Sequence, residues 1–148
     1  YDRQRRIVAA VHAGWRGTVN RILAKTLHRM QSAYGTRGTD VIACIGPGIS
    51  LDSFEVGDEV YEAFRTENFP MEYISVWKPE THKYHIDLWA ANRLQLSDFG
   101  VPPRQIENAG ICTYRQHEDF FSARRLGIKS GRILSGIMLN GQEKGERK

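Results

Sequence analysis

An imidazole, a guanidinium and two glycines fall within eight consecutive residues near the start of the chain: Val11-His12-Ala13-Gly14-Trp15-Arg16-Gly17-Thr18. Residues 7–11 are apolar and predict a strand, and apolar residues then recur at the spacing of one helical face up to Tyr34. We therefore predict a strand, a tight turn and one amphipathic helix.

Such a turn could bind an anion. Glycines permit positive φ and close approach of the backbone, and a helix N-terminus favours negative charge, which Arg16 would reinforce. Phosphate is the natural ligand for this arrangement. The alternative is a plain connection in which Gly14 and Gly17 shape the turn, Thr18 caps the helix and His12 is a core histidine.

Two later segments could also carry chemistry. Gly46-Pro47-Gly48 follows a second predicted strand at residues 40–45, and it could lie against a planar ligand or form an ordinary turn. Residues 113–125 contain Ser122, Arg124 and Arg125, which suit a phosphate or carboxylate, although adjacent arginines also form solvated faces.

Histidine and cysteine positions suggest no metal site by spacing alone. His82 and His85 are three residues apart with no third ligand evident nearby, so we predict a polar loop over residues 78–84. Cys44 and Cys112 have neither metal-type spacing nor a disulfide pattern, and we expect two buried thiols in a reducing cytoplasm. A cysteine hydrolase that uses Cys112 with a histidine is one rival hypothesis.

The remaining pattern alternates helices and strands. Gly57-Asp58 begins a short helix, and Asp87 caps a longer one that ends near Gly100. Further strands are predicted at residues 73–77 and 106–113, and a hairpin at residues 120–123 and 132–139. We predict an α+β fold with a layered mixed β-sheet flanked by helices.

Composition indicates one globular domain: the chain has 148 residues, of which 41% are hydrophobic and 26% charged. No apolar run approaches the roughly 20 residues that span a bilayer, and the first residues of the sequence have no leader pattern, so we expect neither a membrane partner nor export. The net charge of +4 weakly favours anionic partners. The basic residues are scattered, so we expect no nucleic-acid partner.

Five segments together resemble one family. They are His12 to Thr18, Ile45 to Ile49 (Ile-Gly-Pro-Gly-Ile), Phe54 to Val56 (Phe-Glu-Val), Cys112-Thr113, and Phe120 to Arg125 (Phe-Phe-Ser-Ala-Arg-Arg). In order and spacing they resemble the laccase-domain family, also called the polyphenol oxidase or purine nucleoside phosphorylase family.

The resemblance implies a zinc-dependent enzyme that cleaves adenosine, guanosine, inosine or methylthioadenosine with phosphate and also deaminates adenosine. Zinc would supply an activated water for the deamination. The family also carries an older description as a copper-dependent oxidase of phenols, so copper is the alternative metal.

Residue roles follow from the same resemblance. Its histidine motif makes His12 a zinc ligand, and the family's other two ligands, a histidine and a cysteine, belong to upstream segments that this sequence does not contain. Together with the analysis of residue types, it indicates His12 and Arg16 as catalytic residues and Gly17, Arg124 and Ser122 as substrate contacts. Trp15 is a candidate for stacking on a purine, whereas Phe121 is expected to be buried in packing.

The resemblance further implies that residues 1–140 are about three-fifths of a longer domain, its C-terminal portion, with a frayed tail at 141–148. We expect this piece alone to be inactive and to associate with itself through exposed sheet edges. A noncatalytic binding domain is the rival hypothesis from another class.

Overall fold

The computed structural model describes residues 1–141. The helices and strands follow in the order α1 (Trp15–Val19), α2 (Ile22–Tyr34), β1 (Ala43–Ile45), β2 (Glu55–Val56), α3 (Asp58–Thr66), α4 (Met71–Ile74), β3 (Ser75–Lys78), β4 (Lys83–Ile86), α5 (Leu88–Asp98), β5 (Ile106–Asn108) and α6 (Ala123–Leu126). The predicted α+β class is confirmed. Of the predicted tail at residues 141–148, residues 142–148 lie outside the described part of the chain.

The strands form two small sheets. β1 and β5 pair in parallel, whereas β2, β4 and β3 form an antiparallel sheet in that order. Parallel and antiparallel pairing are both present, so the mixed character of the prediction holds, divided between two sheets. None of the helices in residues 1–141 combines the length and apolar character that a bilayer crossing requires.

Helix α5 connects the two apolar clusters of the core. Leu88 and Ala91 belong to the first, which also holds Phe54 and Phe64, and Leu96 belongs to the second. The Asp87 side chain accepts a hydrogen bond of 2.9 Å from the Ala90 amide, so the predicted cap is confirmed. Burying a large apolar side chain contributes about 1.5–3 kcal/mol. Because α5 supplies such a side chain to each cluster, both clusters depend on this helix.

The predicted strand at residues 7–11 and the single helix after it are both wrong. Ile7 makes only an isolated bridge to Asp2, and the helix is interrupted at Arg21, which has φ of 54°. A left-handed residue costs about 1–2 kcal/mol. The Arg21 side chain offsets this cost because it donates a 2.8 Å hydrogen bond to the Glu67 carbonyl and lies over the Phe69 ring.

The predicted boundaries between Met71 and Ile86 are also wrong. Residues 71–74 are helical, and the predicted polar loop contains the beginning of strand β4. In the sequence, Tyr84 stands between the polar residues Lys83 and His85, so the segment did not look like a strand. In the structure the Tyr84 ring packs between Tyr61, at a centroid distance of 3.8 Å, and Trp77, at 4.8 Å. Trp77 and Tyr84 are opposite each other on β3 and β4, and a cross-strand aromatic pair stabilises a hairpin.

The C-terminal hairpin does not form. Residues 123–126 are helical instead, because the Ser122 side chain caps them by accepting from the Arg125 amide, and residues 131–141 have no regular secondary structure. The predicted strand at 106–113 ends at Asn108, before Gly110 with φ of 66°. Strand β1 is likewise shorter than the predicted 40–45.

Candidate functional site

His12 lies on the surface, in the turn that precedes α1. A Cβ atom at Gly14 would lie 3.0 Å from His12 Nε2, so the ring rests against this glycine. A Cβ at Gly17 would lie 3.3 Å from the His12 carbonyl oxygen and 3.2 Å from Ile22 Cγ2. Neither glycine has positive φ, so both are needed for space and not for a left-handed backbone.

A buried polar network holds this turn against α5. The Thr18 hydroxyl donates a 3.0 Å hydrogen bond to the Ala13 carbonyl and accepts one of 3.1 Å from Asn92 Nδ2. Gln95 Nε2 donates to the Thr18 carbonyl at 3.3 Å. Thr18 therefore fixes the backbone beside His12 from inside α1, and it is not the helix cap that the sequence suggested.

Arg16 is exposed, with its guanidinium 4.3 Å from the centroid of the Trp15 ring. One face of Trp15 is thus covered by Arg16, and the ring also packs against the first apolar cluster. Helix α1 has only five residues, so its dipole adds little to the positive charge of Arg16.

The other predicted contact residues lie in a separate part of the described chain. A cleft of about 490 Å³ is lined by Asp52, Ser53, Glu55, His85, Tyr114, Arg115 and Arg124. Arg124 Nη1 donates a 2.6 Å hydrogen bond to the Glu55 carbonyl, and the guanidinium lies 5.2 Å from the Phe54 ring centroid. None of His12, Arg16 and Gly17 is among these lining residues.

Ser122 is buried, and its hydroxyl caps α6. It therefore orients the helix that carries Arg124. Phe121 is 54% exposed, so the expectation that it is buried in packing is wrong. The Phe121 ring lies against Gly131 instead, where an added Cβ would be 2.7 Å from Phe121 Cζ.

His85 is a functional candidate that the sequence analysis set aside, together with His82, in favour of a polar loop. It is buried in β4, and its Nδ1 lies 2.9 Å from the Leu51 carbonyl oxygen. Its Nε2 lies 3.8 Å from Glu55 Oε2, while Glu55 Oε1 lies 3.3 Å from Lys83 Nζ. Hydrogen bonding from Thr81 and Lys83 lowers the pKa of Glu55 below its usual value.

The two cysteines differ in environment. Cys44 is exposed on β1, so the expectation of two buried thiols is wrong for it. The thiol of Cys112 is buried and accepts hydrogen bonds from the Ser50 amide at 3.4 Å and the Ser50 hydroxyl at 3.1 Å. Burial raises the pKa of this thiol, but hydrogen bonds from Ser50 and Ser53 outweigh burial and lower the pKa to about 6.

The metal donors in the described part of the chain do not complete a site. Within residues 1–141, no group of three His, Cys, Asp or Glu residues is placed to hold a metal ion. His12 could supply one imidazole nitrogen, and an imidazole can bind either zinc or copper. The described residues by themselves therefore do not fit either metal.

The chain is similar to proteins that are named for activities on purine nucleosides. Over 140 residues it is 64% identical to a purine nucleoside phosphorylase from Bacteroides thetaiotaomicron, covering 95% of this chain and 52% of that protein. It is 50% identical over 136 residues to adenosine deaminase RL5 from an unknown prokaryotic organism, covering 92% of this chain and 52% of that protein. The chain spans about half the length of these curated relatives.

A solved structure has a similar fold. The crystal structure of the hypothetical protein YfiH from Bacillus licheniformis matches with a TM-score of 0.75 and 31% identity, covering 84% of this chain and 47% of that one. Residues 1–140 match the family described as multi-copper polyphenol oxidoreductase laccase. The chain belongs to this family.

Proposed function

We propose that this chain contributes to a zinc-dependent purine nucleoside phosphorylase that acts on adenosine, guanosine, inosine and methylthioadenosine and also deaminates adenosine. The exposed imidazole of His12, resting on Gly14 beside Arg16, is the observation that carries the proposal. The names of the relatives, a purine nucleoside phosphorylase and an adenosine deaminase, support it.

His12 is proposed as one zinc ligand. Gly14 leaves room for the ring, and the Thr18 network fixes the backbone that carries it, which are the properties of a preorganised ligand. The other ligands would come from the portion of the domain that the relatives have beyond the length matched here.

Phosphorolysis needs an anion positioned against the sugar. A phosphate oxygen forms a bond to the ribosyl carbon while the carbon–nitrogen bond to the purine breaks, and the leaving purine takes up a proton. Arg16 and the Gly17 amide are proposed contacts to phosphate or ribose at the turn, and Arg124, oriented through Ser122, is the proposed contact in the cleft.

Activity and metal content test the proposal together. The full-length protein, supplied with zinc, inosine and phosphate, is expected to release hypoxanthine and ribose 1-phosphate, and adenosine alone is expected to release ammonia. His12→Ala is expected to lose stoichiometric zinc, measured by elemental analysis, and most of both activities. His28→Ala, which alters another exposed histidine, is the matched control. Stoichiometric zinc retained by His12→Ala would refute the assignment.

A copper-dependent polyphenol oxidase is the second candidate, because the matched family is described by that activity. The same elemental analysis separates the two metals. Copper in the purified protein, with oxidation of phenols and no phosphate-dependent release of purine, would favour the oxidase.

A noncatalytic role is proposed for the 148-residue piece in isolation, because its described residues hold no complete metal site. Product formed by the full-length protein and not by this piece would agree with that view. The free thiols of Cys44 and Cys112 suit a reducing compartment, and we propose the cytoplasm.

A further inference from the structure

The cleft beside Arg124 offers both donors and acceptors to a small ligand. Arg124 and Arg115 supply guanidinium donors, and Tyr114 and Ser53 supply hydroxyls. Arg124 uses one N–H on the Glu55 carbonyl and, among the described residues, has no carboxylate within ion-pair distance. A guanidinium with spare donors at a cleft wall is suited to an oxyanion.

Two groups in the same cleft present acceptor atoms: Glu55 as a carboxylate, and His85 when its ring is neutral. The Leu51 carbonyl fixes the proton of the neutral His85 ring on Nδ1, since a carbonyl oxygen cannot donate, so Nε2 carries a lone pair. Glu55 Oε2 is a carboxylate oxygen 3.8 Å away, too far for a direct hydrogen bond with that nitrogen. The His85 and Glu55 acceptor atoms therefore share no proton with each other.

Hydrogen phosphate matches this combination. Its charged oxygens accept from the arginines, and its one P–OH group donates to an acceptor. Sulfate has the same shape and charge but no proton, so it would leave a buried acceptor facing a negative oxygen. We infer that this cleft is the phosphate site, and that His85 Nε2 and Glu55 Oε2 select inorganic hydrogen phosphate through its P–OH proton.

Asp52 opposes anion binding in this arrangement. Its carboxylate lies 3.1 Å from Arg115 Nη2 and neutralises one of the two arginines. The two ion-paired side chains are more than half exposed, so the pair is weak and an incoming dianion can compete for Arg115. This inference rests on the proposed phosphorolysis for the purpose of the anion, whereas the binding itself can be measured without any nucleoside.

Calorimetric titration of the full-length protein at mildly alkaline pH tests the site with inorganic phosphate, sulfate and methyl phosphate as probes. Phosphate is expected to bind about tenfold or more tightly than sulfate or the methyl phosphate dianion, because only hydrogen phosphate has a proton to donate. Equal affinity for the three anions would overturn the selection by a proton, and no binding of phosphate would overturn the site.

Charge variants locate the anion. Arg124→Gln is expected to weaken phosphate binding about tenfold or more, and Asp52→Asn to strengthen it several-fold, since it frees Arg115. Arg125→Gln is the matched control, because Arg125 is the neighbouring arginine and does not line the cleft. Loss of phosphate binding in Arg16→Gln with none in Arg124→Gln would place the anion at the His12 turn and overturn the inference.

Selectivity variants test the acceptors. Glu55→Gln provides an amide donor of the same size, so the ratio of phosphate to sulfate affinity is expected to fall several-fold, a change that a structural role alone would not produce. His85→Phe is expected to lower the same ratio. An unchanged ratio in a folded Glu55→Gln protein and a folded His85→Phe protein would contradict the inference. Selective phosphate binding without release of purine would instead overturn the proposed reaction and leave the phosphate site supported.

Discussion

Asn92 on α5 donates a hydrogen bond of 3.1 Å to the hydroxyl of Thr18 on α1, and both side chains are buried. Through Thr18 this contact reaches the Ala13 carbonyl, next to His12. The conformation of the exposed turn is therefore set by a side chain in the middle of the fold.

Replacement of Asn92 is expected to loosen that turn. Asn92→Ala removes the donor to Thr18 and should lower the free energy of unfolding by about 1–3 kcal/mol, together with the affinity for zinc in the full-length protein. Urea unfolding and zinc titration measure the two effects. Asn20→Ala, which removes one exposed hydrogen bond to the Arg16 carbonyl, is the control and should change stability by about 0.5 kcal/mol or less. Equal losses in the two variants would contradict a special role for Asn92.

A methyl group at Gly14 is expected to displace the His12 ring. The added Cβ would lie 3.0 Å from Nε2, closer than ordinary van der Waals contact, so Gly14→Ala should weaken zinc binding by about tenfold or more, in line with losses seen when a ligand's support is removed. Gly46→Ala is the matched control, because its Cβ would meet open space. Zinc affinity unchanged in Gly14→Ala would show that Nε2 is not held against this glycine during binding.

The Cys112 thiol should make stability depend on pH. Its pKa is lowered to about 6 in the folded protein from 9.0, so the folded state favours the thiolate. The stabilisation that comes from the thiolate is fully present above the pKa of the unfolded state, 9.0, and is lost as the pH falls through the pKa of the folded state, about 6. Between these values the free energy of unfolding should rise with pH by at most about 1.4 kcal/mol per unit.

Urea unfolding under reducing conditions, at several pH values from the folded to the unfolded pKa of Cys112, measures this slope. Cys112→Ser should remove most of it, while Cys44→Ser, at an exposed position, should leave it intact. The same slope in all three proteins would mean that Cys112 does not bind fewer protons in the folded state.

In addition to the exposed sheet edges, the apolar C-terminal segment is expected to mediate self-association of the isolated 148-residue chain. Leu134 is 96% exposed and Met138 is 82% exposed, in a stretch without regular structure. Sedimentation should show an apparent molecular mass that rises with protein concentration. A Leu134→Glu, Met138→Glu double variant should have a lower apparent mass at the same concentration. Lys129→Glu is the control for added negative charge. A monomer at all concentrations would contradict this expectation.

Local signals in the sequence predicted the elements that depend on neighbouring residues. The Asp87 cap, the helix that begins after Gly57 and the glycine-containing turn at His12 all follow from short-range chemistry. The left-handed Arg21 could not be predicted, because the contacts that stabilise it come from Glu67 and Phe69, more than forty residues away.

The candidate site was predicted only in part for the same reason. His12 and Arg124 could be selected from their residue types and local motifs alone. His85 becomes a site candidate only through its contacts with the Leu51 carbonyl and the Glu55 carboxylate, which lie outside its own strand. Strand β4 was missed because its pattern interleaves charged and aromatic residues, and its pairing with β2 and β3 is what buries His85.

The sharing of α5 between the two apolar clusters has a consequence for how the molecule comes apart. Leu88 and Leu96 sit about two helical turns apart, yet each belongs to a different cluster. Unfolding of this one helix would disrupt both clusters at once. Amide protons in the two clusters should therefore exchange with solvent in a single cooperative event. Heat should accordingly melt the His12 turn and the Arg124 cleft at one temperature.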